Sequence, residues 1–128
     1  MKTTFKSLII LFCLLSILSF TKENCSVLKK NQFTYKLANK EVLVVFNDDT
    51  YVEYHNNKEY FIKAEIQWVS DCEYNLTIKE TTLPRFPFKI GSKLHIVVTK
   101  VKGNKVYYTS TLGGKTWEGK LTKKKKPR

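Results

Sequence analysis

Apolar side chains recur at every second position through most of this chain, and that period dictates strands rather than helices. Tyr60, Ile62, Ala64, Ile66 and Trp68 alternate with Lys63, Glu65 and Gln67. A period of two places the first set on one face of an extended strand and leaves the other face to water. Cys72, Tyr74, Leu76 and Ile78 repeat the pattern against Glu73, Asn75, Thr77 and Lys79, with only Ser70 and Asp71 between the two runs. Such a pair reads as a β-hairpin. Further strands are expected at Phe33-Tyr35-Leu37, at Val42-Val44-Phe46, over 51–55, 94–101 and 106–112, and around Trp117. Asn39-Lys40, Asn47-Asp48-Asp49, Asn56-Asn57, Gly103-Asn104 and Gly113-Gly114 separate them, and these residue types tolerate the backbone of tight turns. The fold class is therefore all-β, an antiparallel meander of about eight strands. Unpaired edges are a liability, so the meander is expected to close into a small lipocalin-like barrel or a strongly curled sheet.

One stretch breaks the pattern. Pro84 and Pro87 fall within 81–91, and a residue without an amide donor interrupts a central strand. The segment is expected to cross one end of the barrel, where Phe86 and Phe88 either plug it or line the mouth of a pocket. Trp68, Tyr74, Tyr108 and Trp117 are expected on inward faces, as filling or as cavity wall. Filling is the commoner fate of large inward side chains in an eight-stranded barrel. The candidate ligand cavity is thus Trp68, Tyr74, Phe86, Phe88, Tyr108 and Trp117.

The beginning of the chain reads as an address. Lys2 and Lys6 precede an apolar run over 8–20 that only Ser16 and Ser19 interrupt. This is the layout of a secretory signal, and the run is too short for an ordinary membrane span. Ser19 suits the residue before a cut, although Ile17 is bulkier than the usual partner position, so an uncleaved anchor stays open. Lipid attachment is disfavoured, because Cys13 follows Phe12 and Cys25 follows Lys22-Glu23-Asn24. Segment 1–20 is read as the signal, 21–121 as one all-β domain and 122–128 as a tail. Without the leader about 108 residues remain, enough for one modest core. Of 3 cysteines, Cys25 and Cys72 then survive in an oxidising compartment, periplasmic or extracellular. One disulfide between them is the simplest reading, and two buried thiols are the alternative.

Charge is concentrated at the ends. The chain has 23 Lys and Arg against 11 Asp and Glu, a net charge of +12. Lys2, Lys6, Lys123, Lys124, Lys125, Lys126 and Arg128 supply over half of that surplus. A like-charged run ending beside Pro127 cannot bury apolar surface, so it is read as a disordered tail. It serves either solubility or attraction to an anionic envelope surface, through Lys123, Lys124, Lys125, Lys126 and Arg128. No specific nucleic-acid partner is expected.

Catalytic and metal motifs fail on spacing. Gly113-Gly114-Lys115-Thr116 ends like a phosphate loop, but Thr109 stands where that loop needs glycine, and a strand follows in place of a helix. His55 and His95 are the 2 histidines, too far apart in sequence for the near spacing of zinc ligands; a site assembled across strands stays open. Ser70, Ser92 and Ser110 lack the context of a nucleophile elbow. Glu53, Glu65, Glu73 and Glu118 alternate in strands, where carboxylates usually face solvent. Asn75-Leu76-Thr77 has the form of a glycosylation acceptor, which a bacterial origin would make irrelevant.

The order Cys25, Phe33 and Tyr35, Glu53, Trp68, Asp71-Cys72-Glu73-Tyr74 and Trp117-Glu118-Gly119 resembles a group of short exported bacterial proteins over nearly all of the mature chain. Some of that group carry the label DNA topoisomerase IV. A topoisomerase needs a nucleophilic tyrosine on a DNA-gripping scaffold and an ATP site, which about 108 residues cannot hold. The resemblance implies export and no established activity. The functional expectation is an exported non-catalytic barrel, without cofactor, that binds a small apolar ligand or a partner. The alternative is an electrostatic adhesion module that uses its basic tail.

Overall fold

The computed structural model describes residues 24–125. Segment 1–20 and Lys126, Pro127 and Arg128, read above as leader and tail end, lie outside the described residues. The described chain is an eight-stranded antiparallel barrel in sequential order, closed by β1 against β8. A short 3-10 turn, Ser26–Leu28, precedes β1 (Gln32–Leu37), β2 (Lys40–Phe46), β3 (Thr50–His55) and β4 (Tyr60–Ser70). Then come β5 (Glu73–Thr81), β6 (Lys93–Lys102), β7 (Lys105–Leu112) and β8 (Lys115–Lys123). Among the described residues no helix is long and apolar enough to cross a membrane.

Alternation sets which residues enter the barrel. Val42, Val44 and Phe46 of β2 are buried, as are Ile62, Ala64 and Ile66 of β4 and Tyr74, Leu76 and Ile78 of β5. Their neighbours point out, where Lys79 pairs with Glu65 at 3.3 Å. Register is pinned by tight turns. Leu37 opposes Lys40 across Ala38-Asn39, which hold φ of 51° and 66°, the left-handed pair that a two-residue hairpin loop needs. The register shifts between Lys63 and Ala64, between Trp68 and Ser70, and between Val98 and Lys100. Such irregularities bend and twist a strand, which helps a narrow sheet to close.

The two poles of the barrel differ. At one pole the N-terminal turn lies across the end as a stopper, with Cys25 and Leu28 fully buried. Beneath it Phe33, Trp68 and Tyr74 surround Phe46 at ring separations of 5.6, 6.5 and 5.9 Å, and Trp68 meets Tyr74 at 4.9 Å. The indole Nε1 of Trp68 donates to the Asp48 carbonyl at 2.8 Å, while Lys29 sits over its ring at 5.0 Å and pairs with Asp71 at 3.0 Å. A disulfide joins Cys25 to Cys72 with a Cα separation of 5.1 Å, within the range such a bond needs.

The last strand is longer than the sequence suggests. Thr122 and Lys123, read as the start of a tail, belong to β8 and pair with Thr34 and Phe33. The Lys124 amide donates to the Gln32 carbonyl at 2.9 Å. Backbone pairing with β1 outweighs the mutual repulsion of exposed lysines that water already screens.

The disulfide spans a sequence separation of 47, worth about 4 kcal/mol in the chain-entropy account. The double variant Cys25→Ser/Cys72→Ser is expected to lose about 2–5 kcal/mol in chemical denaturation. A non-reducing peptide map should recover the two cysteines in one linked fragment.

Candidate functional site: a hollow half-barrel with a buried carboxyl

Above the aromatic floor the barrel is hollow. A cavity of about 380 Å³ occupies the half away from the disulfide, a volume within the range of small-molecule sites. Its wall is Ile62, Leu76, Ile78, Leu94 and Ile96 from the central strands, with Leu121 from β8. Tyr35, Tyr51, Tyr74, Tyr108 and Trp117 add aromatic surface. Phe86 and Phe88 come from the segment between β5 and β6 that crosses this end. They meet edge-to-face at 5.5 Å, and Phe88 continues onto Trp117 at 5.8 Å. These three rings form a rim. Trp117 is 40% exposed and Leu37 is 54% exposed, so the lining reaches the outer surface.

Of the residues expected at a cavity, the structure brings together Tyr74, Phe86, Phe88, Tyr108 and Trp117. Trp68 is a correction: it faces inward but packs into the closed pole against Phe46 and Tyr74, below the cavity floor. Filling and cavity wall were alternatives in the sequence; the barrel does one at each end.

The mouth continues sideways into a slot. β1 and β8 pair only through Phe33 with Lys123 and Thr34 with Thr122, and then diverge toward the open pole. A cleft of about 750 Å³ lies between them, edged by Lys36 and Glu41 on one side and Lys120 and Glu118 on the other. Tyr35, Leu37, Tyr108 and Glu118 line both the cleft and the inner cavity. Tyr108 lies at this junction across Gly119. A Cβ on Gly119 would meet the Tyr108 Cζ at 2.3 Å, so the absent side chain makes the seat for the ring.

Glu53 corrects a second expectation, that the strand carboxylates face solvent. It stands opposite Val44 and Ile62, both inward, and lines the cavity. The Tyr35 hydroxyl donates to its Oε1 at 2.6 Å. Burial pushes its carboxyl above the ordinary value; hydrogen bonds from Tyr35 and Tyr51 and the proximity of His55 pull the other way without cancelling the rise. The same burial, with Glu53 nearby, raises the phenols of Tyr35, Tyr51 and Tyr74, and that of Tyr108 to about 12. The other carboxylates behave as expected: Glu65 pairs with Lys79, and Glu73 meets His95 at 2.8 Å on the outer face.

Two buried polar atoms have no hydrogen-bond partner among the described residues, His55 Nε2 and Ser110 Oγ. Ser110 is 8% exposed and lines the cavity. His55 and His95 lie on opposite sides of the wall, which separates the two as metal ligands. Lys123, Lys124 and Lys125 gather at the closed pole around a groove with Asn31 and Asn104.

Family models, curated proteins and solved structures give no match to this chain. Glu53 was missed as a site residue because a charged side chain in a strand is expected to face solvent; counting back from Val44 across the hairpin would have put it inside.

Because Glu53 takes up its proton more readily folded than unfolded, folding gains stability as pH falls from the raised value toward the ordinary carboxyl range. Above the raised value the buried charge is a constant cost. Glu53→Gln, which keeps an oxygen acceptor for Tyr35, is expected to melt higher than wild type at neutral pH. The difference should shrink as pH is lowered into the ordinary carboxyl range, as followed by thermal unfolding across pH.

Proposed function

We propose that this protein is an exported binding barrel, without catalytic machinery, that takes a small apolar or amphipathic molecule into its open half. The observation that carries the reading is the aromatic and aliphatic cavity of about 380 Å³, stopped at one pole and reaching the surface at the other. Apolar hollows of this size gain by desolvating a guest and need few polar groups to orient it. Export is supported by the leader pattern and by the Cys25–Cys72 bond, which suits an oxidising compartment. The likeness to lipocalins is one of architecture and lends the binding class by analogy.

An uncharged apolar fluorescent probe is expected to bind the folded protein one-to-one and to change tryptophan emission. Trp117→Ala should weaken that binding at the rim. Trp68→Phe should leave it in place, whereas Trp68→Ala should cost about 3–5 kcal/mol of stability by emptying the closed pole. A folded wild type that takes up no probe would overturn the reading.

A second reading is favoured by the lysine groove at the closed pole. Lys123, Lys124 and Lys125 present cations together on the face away from the mouth, a suitable contact for an anionic envelope surface. Replacing the three with Gln should abolish salt-sensitive retention on anionic vesicles and leave probe uptake at the mouth intact. Retention that survives the change would move any such contact elsewhere.

A further inference from the structure

In a chain of net charge +12, the two lining residues of the inner cavity that belong to the charged types, among the described residues, are both acidic: Glu53 within and Glu118 at the mouth. No Lys or Arg side chain lines it among the described residues. The lysines beside the slot, Lys36, Lys105 and Lys120, edge the outer cleft instead. The sign of the lining is thus opposite to that of the molecule.

The remaining surface around Glu53 suits a cation as well. Ring faces attract a cation that has left water, and Trp and Tyr do so most strongly. Tyr35, Tyr51, Tyr108 and Trp117 line the same hollow as the carboxyl. Ser110 Oγ, buried on this wall without a hydrogen-bond partner among the described residues, can accept an N–H. An apolar guest alone would leave the Ser110 hydroxyl unpaired and give the carboxyl, held so far by two phenols, no counter-charge. A guest bearing an anion would meet Glu53 as a like charge.

Taking the binding-barrel reading as its basis, we propose that the guest is an organic amine, with an ammonium group set against Glu53 inside the aromatic wall and an apolar body along Leu76, Ile78 and Ile96. Tyr35 and Tyr51 hold the carboxyl in place. Glu118 lies on the path inward.

Three probes of equal chain length separate the terms: decylammonium, decanol and decanoate, each titrated calorimetrically below its micelle concentration at neutral pH. Decylammonium is expected to bind at least about tenfold more tightly than decanol, with decanoate weakest. Glu53→Gln should bring the ratio of decylammonium to decanol affinity close to one. Equal or tighter binding of decanol or decanoate by wild type would overturn the amine assignment while leaving the binding barrel standing. Failure of all three to bind would overturn both.

Acid supplies a second arm. Tyr35, Tyr51, Tyr74 and Tyr108 stay neutral through the acid range, since each is raised from its ordinary value. Protonation of Glu53 removes the counter-charge, so decylammonium affinity should fall with pH from above the ordinary carboxyl range while decanol affinity stays level. His55 lies near Glu53 and Glu118 lines the mouth. The part of the profile that Glu53→Gln abolishes is the part that belongs to Glu53, and an unchanged profile in that variant would overturn its role.

Discussion

A barrel of eight short strands encloses a volume, and what happens to that volume depends on how its ends are stopped. Here one end is closed by a covalent bond. Cys25 is tied to Cys72, and the turn that follows drops Leu28 onto the ring cluster of Phe33, Phe46, Trp68 and Tyr74. Without that tether the N-terminal turn is a few residues holding a small apolar contact against the entropy of a free chain end. With it, the turn becomes part of the core. Apolar packing is thereby concentrated at one pole, which lets the other pole remain hollow in a domain of this size.

The hollow pole carries the opposite balance. A carboxyl enclosed by aliphatic and aromatic side chains loses hydration that two phenols only partly replace. Strand geometry does not require it, since Val44 and Ile62, its cross-strand partners, are apolar at the equivalent inward positions. Stability is being given up at a cavity wall, a trade commonly met where binding groups must be kept ready. The Gly119 seat for Tyr108 is built for the ring in the same way: a Cβ there would meet Cζ at 2.3 Å, so any larger residue would push the phenol out of the wall.

Much of the architecture was legible because period two is unambiguous over long strands. The runs about Ile62 and Ile66, Tyr74 and Leu76, and Val42 and Val44 could be assigned to one face by counting, and the Asn and Gly turns between them set the order. What counting could not supply was depth along the barrel axis. Trp68 and Trp117 both face the barrel side of their strands, yet one is sealed under the N-terminal turn and the other stands on the rim; the difference lies in register and in which pole the stopper covers. Glu53 was hidden for another reason, since charge outweighed position in reading a strand that starts with Tyr51 and ends with His55. The end of β8 was hidden by composition, because Lys123 reads as tail until its partner Phe33 is known.

The short stitch between β1 and β8 gives the wall an unusual mechanical property. Strands elsewhere are paired along most of their length, so widening the barrel there would break backbone hydrogen bonds. At this seam the pairs at Phe33 and Thr34 lie beside the stopper, and the divergent halves of the two strands share none. Spreading the two strands at the mouth would therefore break no β1–β8 backbone pair, which puts the compliance of the wall at one seam and at the end away from the stopper.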